Sequence, residues 1–206
     1  MSADALTLHK TWPISAQIGR TWFRWRSLSP VPLFLMLFIL PPDFNCYGLQ
    51  YGLLVMGVLL AEGLRLWAVG YAGSTTRTRG DVVQQLVHAG PYRYVRNPLY
   101  IANIAMYTFC GLIFGFGLLS LFIFVYSTIE YYFIVSFEEQ ILSRTFGNIY
   151  LDYTQQVPRW LPSFRPACKS SNHNFCLKSA LKSEKSTFYS MAAMLLGFFI
   201  KSYLLK

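Results

Sequence analysis

Gly90-Pro91-Tyr92-Arg93-Tyr94-Val95-Arg96-Asn97-Pro98-Leu99-Tyr100 ends a polar connection and opens an apolar run. Gly90-Pro91 is a turn signal. Pro98 moves Asn97 out of helical conformation and fits the first turn of a following helix, so Asn97 reads as the N-cap of a helix running into the apolar stretch. The open N–H groups and positive dipole of that helix start suit an anionic ligand group. A chain that only has to cross a membrane needs no such loop. Taken alone, the block reads either as half of a ligand pocket or as an interfacial anchor with a capped helix.

Downstream of the block lie the apolar runs Leu99–Phe116 and Leu118–Phe137, broken at Gly115-Phe116-Gly117. A turn that short predicts an antiparallel helix hairpin. Upstream, Tyr47–Tyr71 is the clearest span. It carries Glu62 and Arg65 on neighbouring helix positions. Charges inside a span face the protein interior or a wet cavity, so this pair reads either as a local ion pair or as part of the pocket. Val31–Leu40, ended by Pro41-Pro42, is shorter than the roughly 20 residues a span needs. It has to recruit Trp22–Pro30 or be short and tilted. The segments divide into a basic, aromatic interfacial arm (1–29), a membrane domain (30–164), a basic Ser-rich linker (165–186) and an apolar C-terminal helix (187–206) that spans or lies in the interface. The fold class expected is all-α, a polytopic membrane bundle of four to five transmembrane helices with a cytoplasmic-facing cofactor pocket.

Composition agrees. Of 206 residues, 54% are hydrophobic and only 13% charged, against about 25% charged in a soluble domain. The net charge of +9 therefore points to cytoplasmic loops and anionic lipid headgroups rather than nucleic acid, for which there is no motif. The start, with Asp4 and His9 ahead of the first apolar run, does not read as a cleaved signal peptide. Cys110 falls in an apolar run, and Cys46, Cys168 and Cys176 read as reduced thiols. Cys168, His173 and Cys176 supply three ligands at irregular spacing where a structural zinc site uses four, so no metal is expected. The arm with Lys10, the 72–98 loop with Arg77, Arg79, Arg93 and Arg96, and the 138–186 region are all basic. An orientation with all three in the cytoplasm satisfies the positive-inside rule and brings two polar loops together on one face.

The second of those loops holds Glu138-Glu139, then Phe146-Gly147, Tyr150, Tyr153 and Val157-Pro158-Arg159. In order and spacing, with a membrane hairpin between, the two blocks resemble the isoprenylcysteine carboxyl methyltransferase and phospholipid methyltransferase superfamily. Its first signature is a Gly-x-Tyr segment leading to Arg-His-Pro-x-Tyr; its second is an acidic pair followed by Phe-Gly, spaced tyrosines and a basic Val-Pro stretch. The resemblance covers about Gly63–Phe164, including Leu64-Arg65-Leu66-Trp67-Ala68.

The resemblance implies S-adenosylmethionine as methyl donor, bound between the two loops. By position it assigns to the cofactor Gln84, Gln85, Leu86, Val87, Gly90, Tyr92, Arg96, Asn97, Pro98, Leu99, Tyr100, Glu138 and Glu139. Tyr131, Tyr150, Tyr153 and Arg159 fall on the substrate side. No catalytic triad is expected, since methyl transfer from a sulfonium is an in-line displacement that needs alignment and exclusion of water; the catalytic residues stay open, and for an amine or hydroxyl acceptor Glu62, Glu139 and the tyrosines are candidate proton acceptors. The acceptor expected is a membrane lipid or lipidated substrate offering a carboxylate, thiol or amine. Asn97 stands where the family has histidine, Ala102 replaces a common glycine, and Ile134 aligns with the arginine that holds a prenylcysteine carboxylate. Asn hydrogen-bonds but gains no proton near neutrality. The rival readings are a membrane reductase of the sterol-reductase type, which uses a dinucleotide, and a non-catalytic scaffold that retains the fold.

Overall fold

The computed structural model describes residues 12–43, 48–73, 85–169 and 174–204. Of the residues singled out above, Asp4, His9, Lys10, Cys46, Tyr47, Arg77, Arg79, Gln84 and His173 lie outside that set. Among the described residues there are seven α-helices and no strand. They are α1 (Ile14–Trp25), α2 (Pro30–Ile39), α3 (Leu49–Ala72), α4 (Pro98–Ile113), α5 (Gly117–Phe146), α6 (Asn148–Gln156) and α7 (Leu177–Leu204); a 3-10 turn covers Gly90–Arg93.

The hairpin forms as the sequence predicts. Gly115, at φ 82°, turns the chain between α4 and α5. Asp43 then caps α5, accepting from Gly117 N at 2.6 Å and Leu118 N at 3.1 Å. A carboxylate at a helix N-terminus satisfies orphan donors and meets the positive end of the dipole. It also ties the chain after Pro41-Pro42 to the hairpin tip. α4 packs between α3 and α5, α7 lies against α3, and α1 runs along α5. Gly19 makes that last approach possible, because any Cβ there would overlap the backbone carbonyl of Phe133.

α3 and α5 are long and apolar enough to cross a membrane. Both turn large apolar side chains outward, among them Leu53, Leu59 and Leu60 on α3 and Leu118, Leu121 and Phe122 on α5. α2 and α4 are apolar but shorter. The 10 residues of α2, at about 1.5 Å each, cover only half of a ~30 Å hydrocarbon layer. Pro41-Pro42 stops it, and the chain ahead of Pro30 belongs to α1 and the bend after it. α7 begins at Leu177, not at Thr187, so the chain at 177–186 is helical where a linker was expected. α1 lays Trp22 and Phe23 against Phe133 and Phe137 of α5.

Candidate active site

Gly90 sits at φ 57°, a conformation that glycine adopts without strain, and a Cβ there would strike the Tyr71 ring of α3. Pro91 and Val95 are buried, which pins the following loop to the helix ends. Asn97 takes the N-cap position with Pro98 at the first helical position, as expected. Its side chain, however, makes no capping bond: Nδ2 donates to the Arg159 carbonyl at 3.1 Å.

That bond is one of a series joining the two polar loops. Arg96 N donates to Pro158 O (2.9 Å), Ser163 N to Tyr94 O (2.9 Å) and Ala167 N to Arg93 O (2.9 Å). Arg93 Nε donates to Cys168 O at 2.9 Å, and the Tyr153 hydroxyl donates to Tyr92 O at 2.8 Å. The loop ahead of α4 is therefore built on the segment that follows α6. Buried Tyr150, Tyr153 and Val157, with Leu86 packed against them, form the floor beneath it.

The acidic pair lies within α5, which continues well past Phe137. Its two carboxylates have different surroundings. Glu139 accepts from Arg159 Nε at 3.1 Å to each oxygen and from Arg159 Nη2, and Arg96 Nη2 stands 3.4 Å from its Oε1. Two guanidiniums neutralise it. Glu138 accepts from the Tyr100 hydroxyl at 2.7 Å and has the Arg26 guanidinium within electrostatic reach. Of the two, Glu138 keeps the greater capacity to bind a further cation. Arg26, at the end of the N-terminal arm, is a contributor that sequence reading missed, since nothing in its own segment marks it.

In the polar loop and in α6, burial pushes the Tyr92, Tyr150 and Tyr153 phenols up, with Glu138 adding to the effect at Tyr92 and Glu139 at Tyr150. All three stay neutral through the physiological range. The Glu139 hydrogen bonds raise Arg159, which stays charged. Among the described residues, three buried nitrogens around the loops have no hydrogen-bond partner: Arg26 Nη1, His88 Nδ1 and Arg96 Nε. Unsatisfied buried donors and acceptors are costly unless something pairs with them.

The residues assigned to the cofactor are largely brought together: Tyr92, Arg96, Asn97, Tyr100, Glu138 and Glu139 are joined by the contacts above. Gln85 is exposed at the start of the loop. The substrate-side residues divide. Tyr150 and Tyr153 share a helix face, ring centroids 6.1 Å apart, but lie under the loop, and Arg159 is held by Glu139. Tyr131 lies in a different cluster with Ile104 and Ile134, its ring 4.7 Å from that of Tyr100.

Inside α3, Glu62 and Arg65 do form an ion pair, at 3.6 Å. The closer partner of Arg65 is Glu184 of α7, at 2.5 Å. No local sequence signal announces a contact between residues 119 positions apart.

No curated protein and no solved structure matches the chain. Residues 49–149 match the phospholipid methyltransferase family. The match runs from the first residue of α3 into α6, so it contains the loop ahead of α4, the hairpin and the acidic pair. With two helices long and apolar enough to cross a bilayer, the protein is a membrane protein, and its residues 49–149 are a phospholipid methyltransferase domain of the isoprenylcysteine carboxyl methyltransferase and phospholipid methyltransferase superfamily.

Proposed function

We propose that the protein is an integral membrane methyltransferase that uses S-adenosylmethionine to methylate a lipidic or apolar acceptor. The observation that carries this reading is the asymmetry of the acidic pair. Glu139 is neutralised by Arg159 and Arg96, whereas Glu138 beside it has one hydroxyl donor. A partly buried carboxylate at the meeting point of two loops suits a cationic ligand.

The residues fit the proposed cofactor in charge as well. Glu138 would face its positive groups. Arg96 Nε and His88 Nδ1, buried without partners, offer polar contacts for its carboxylate and base. When bound, the cofactor supplies an electrophilic methyl group on a sulfonium. The protein's part is to hold and dry the site. The bonds from Pro158, Ser163 and Ala167 fix the loop, and Tyr100 orients the Glu138 carboxylate. The basic loops support a cytoplasmic orientation of this face under the positive-inside rule. Lipid-facing α3 and α5 offer a sideways route for an apolar acceptor.

The test is isothermal calorimetry of detergent-purified protein with S-adenosylhomocysteine and, separately, NADPH. Binding of S-adenosylhomocysteine alone is expected. Glu138→Ala is expected to weaken it by about tenfold or more, matching the ~1.5–3 kcal/mol of one charge-assisted contact, while the helical circular dichroism stays unchanged. No binding by well-folded wild type rejects the reading.

A further inference from the structure

We propose that Glu184, on the C-terminal helix and outside the family-matched residues, is a positioning residue that sets the Tyr131 hydroxyl through Arg65 and Asn103. The functional meaning of this inference rests on the methyltransferase reading; the coupling itself does not.

The contacts run without a gap. Glu184, only 2% exposed, binds Arg65 Nη2 at 2.5 Å. The Thr187 hydroxyl donates to Glu184 at 2.6 Å and accepts from Arg65 at 3.2 Å. Arg65 Nη1 donates to Asn103 Oδ1, and Asn103 Nδ2 donates to the Tyr131 hydroxyl at 3.1 Å. Tyr131 lies against Tyr100, which donates to Glu138. Helices α3, α4, α5 and α7 each contribute one member or more.

Polarity makes the chain one-directional. A guanidinium only donates, so it selects the amide rotamer of Asn103 that turns Oδ1 toward it and Nδ2 toward Tyr131. Tyr131 must then accept from Asn103, which leaves its own proton to point away from that amide. The planar fork of arginine lets one side chain meet Glu184 and Asn103 at fixed angles, which an ammonium cannot do. Glu62 at 3.6 Å forms no hydrogen bond with Arg65, so Glu184 is the carboxylate that fixes the fork. If Glu184 is neutralised, Arg65 is drawn to Glu62, the Asn103 amide loses its selecting donor and the Tyr131 hydroxyl loses its set position.

The experiment places 3-fluorotyrosine at position 131 of the full chain and records its fluorine resonance in nanodiscs. Glu184→Gln and Arg65→Lys are each expected to shift that resonance, and the double variant to shift it no further. Phe175→Ala, which removes the ring packed on Gly70 and Tyr71, loosens the start of the C-terminal segment without touching the chain of contacts. It is expected to leave the resonance in place. An unmoved resonance in Glu184→Gln overturns the proposal, as does an equal shift in Phe175→Ala. Thr187→Val, which keeps the volume and removes one hydroxyl, carries the same test if Glu184→Gln does not fold. A smaller shift in the same direction is expected, and no shift overturns the proposal. S-adenosylhomocysteine affinity of Glu184→Gln should stay within about twofold of wild type, because Tyr100 and Glu138 lose no bond; a larger loss overturns the assignment to Tyr131. Failure of wild type to bind S-adenosylhomocysteine rejects the methyltransferase reading and leaves the fluorine result to decide the coupling.

Discussion

Arg159→Met tests whether charge holds the segment after α6 to the acidic pair on α5. The guanidinium gives Glu139 two Nε contacts of 3.1 Å and a third from Nη2. Methionine keeps apolar bulk near the Tyr132 ring, which the guanidinium approaches at 5.5 Å, but removes every donor. Breaking a fully buried pair costs about 3–5 kcal/mol, whereas an exposed pair contributes ~1 kcal/mol or less. Here the side chains are 26% and 17% exposed, and Arg96 remains 3.4 Å from Glu139. The discounted expectation is ~2 kcal/mol. For a chain of this size that lowers the apparent melting midpoint by about 4–8 °C, read in detergent by circular dichroism. Glu139→Gln should give a similar loss, and the double variant little more than either alone, a coupling of about 1–2 kcal/mol. Additive losses, within about 0.5 kcal/mol, would show that Arg159 and Glu139 act separately and would refute the coupling.

Alkaline pH should destabilise the site. Burial raises the Tyr92, Tyr150 and Tyr153 phenols, so the folded chain keeps protons that an unfolded chain, with phenols near 10, gives up. Stability is full below about pH 10 and falls as pH rises above it. Tyr153→Phe should flatten that fall in a series of melting midpoints, while lowering the midpoint at neutral pH through loss of the bond to Tyr92 O; an unchanged alkaline slope refutes the assignment. Gly90→Ala meets both the left-handed backbone and the Tyr71 ring, so a loss of at least 1–2 kcal/mol is expected. Tyr71→Ala should remove only the steric share; full rescue by that second change would show that the backbone conformation is not a constraint.

The parts of the site that were legible in the sequence are the local ones. Gly90-Pro91 as a turn, Pro98 at the head of a helix and Gly115-Phe116-Gly117 as a hairpin tip each follow from the backbone chemistry of two or three adjacent residues. The paired blocks were legible through the resemblance, and the family match covers both loop and acidic pair. Asn97 shows where local reasoning stops. Its position is an N-cap, but Pro98 has already removed one orphan donor, and the Arg159 carbonyl arrives from another part of the chain to take its amide. Arg65 shows the same limit. Spacing pairs it with Glu62, yet the bundle brings Glu184 closer. Arg26 reads as one more interfacial cation, and only the path of α1 along α5 carries it toward Glu138. The crossings expected from apolar content alone were limited by length: Pro41-Pro42 stops α2 at a point where no neighbouring apolar run can extend it.

The backbone bonds from residues 158, 163 and 167 to residues 96, 94 and 93 have a consequence in time. A ribosome delivers the loop ahead of α4 long before it delivers the chain that holds it. While α4 and α5 are being made, the Arg93 and Tyr94 carbonyls and the Arg96 N–H are without these partners. The loop takes its final shape after the hairpin is in place and the following segment has folded back. Synthesis of the hairpin and completion of the site are thus separate events, in that order.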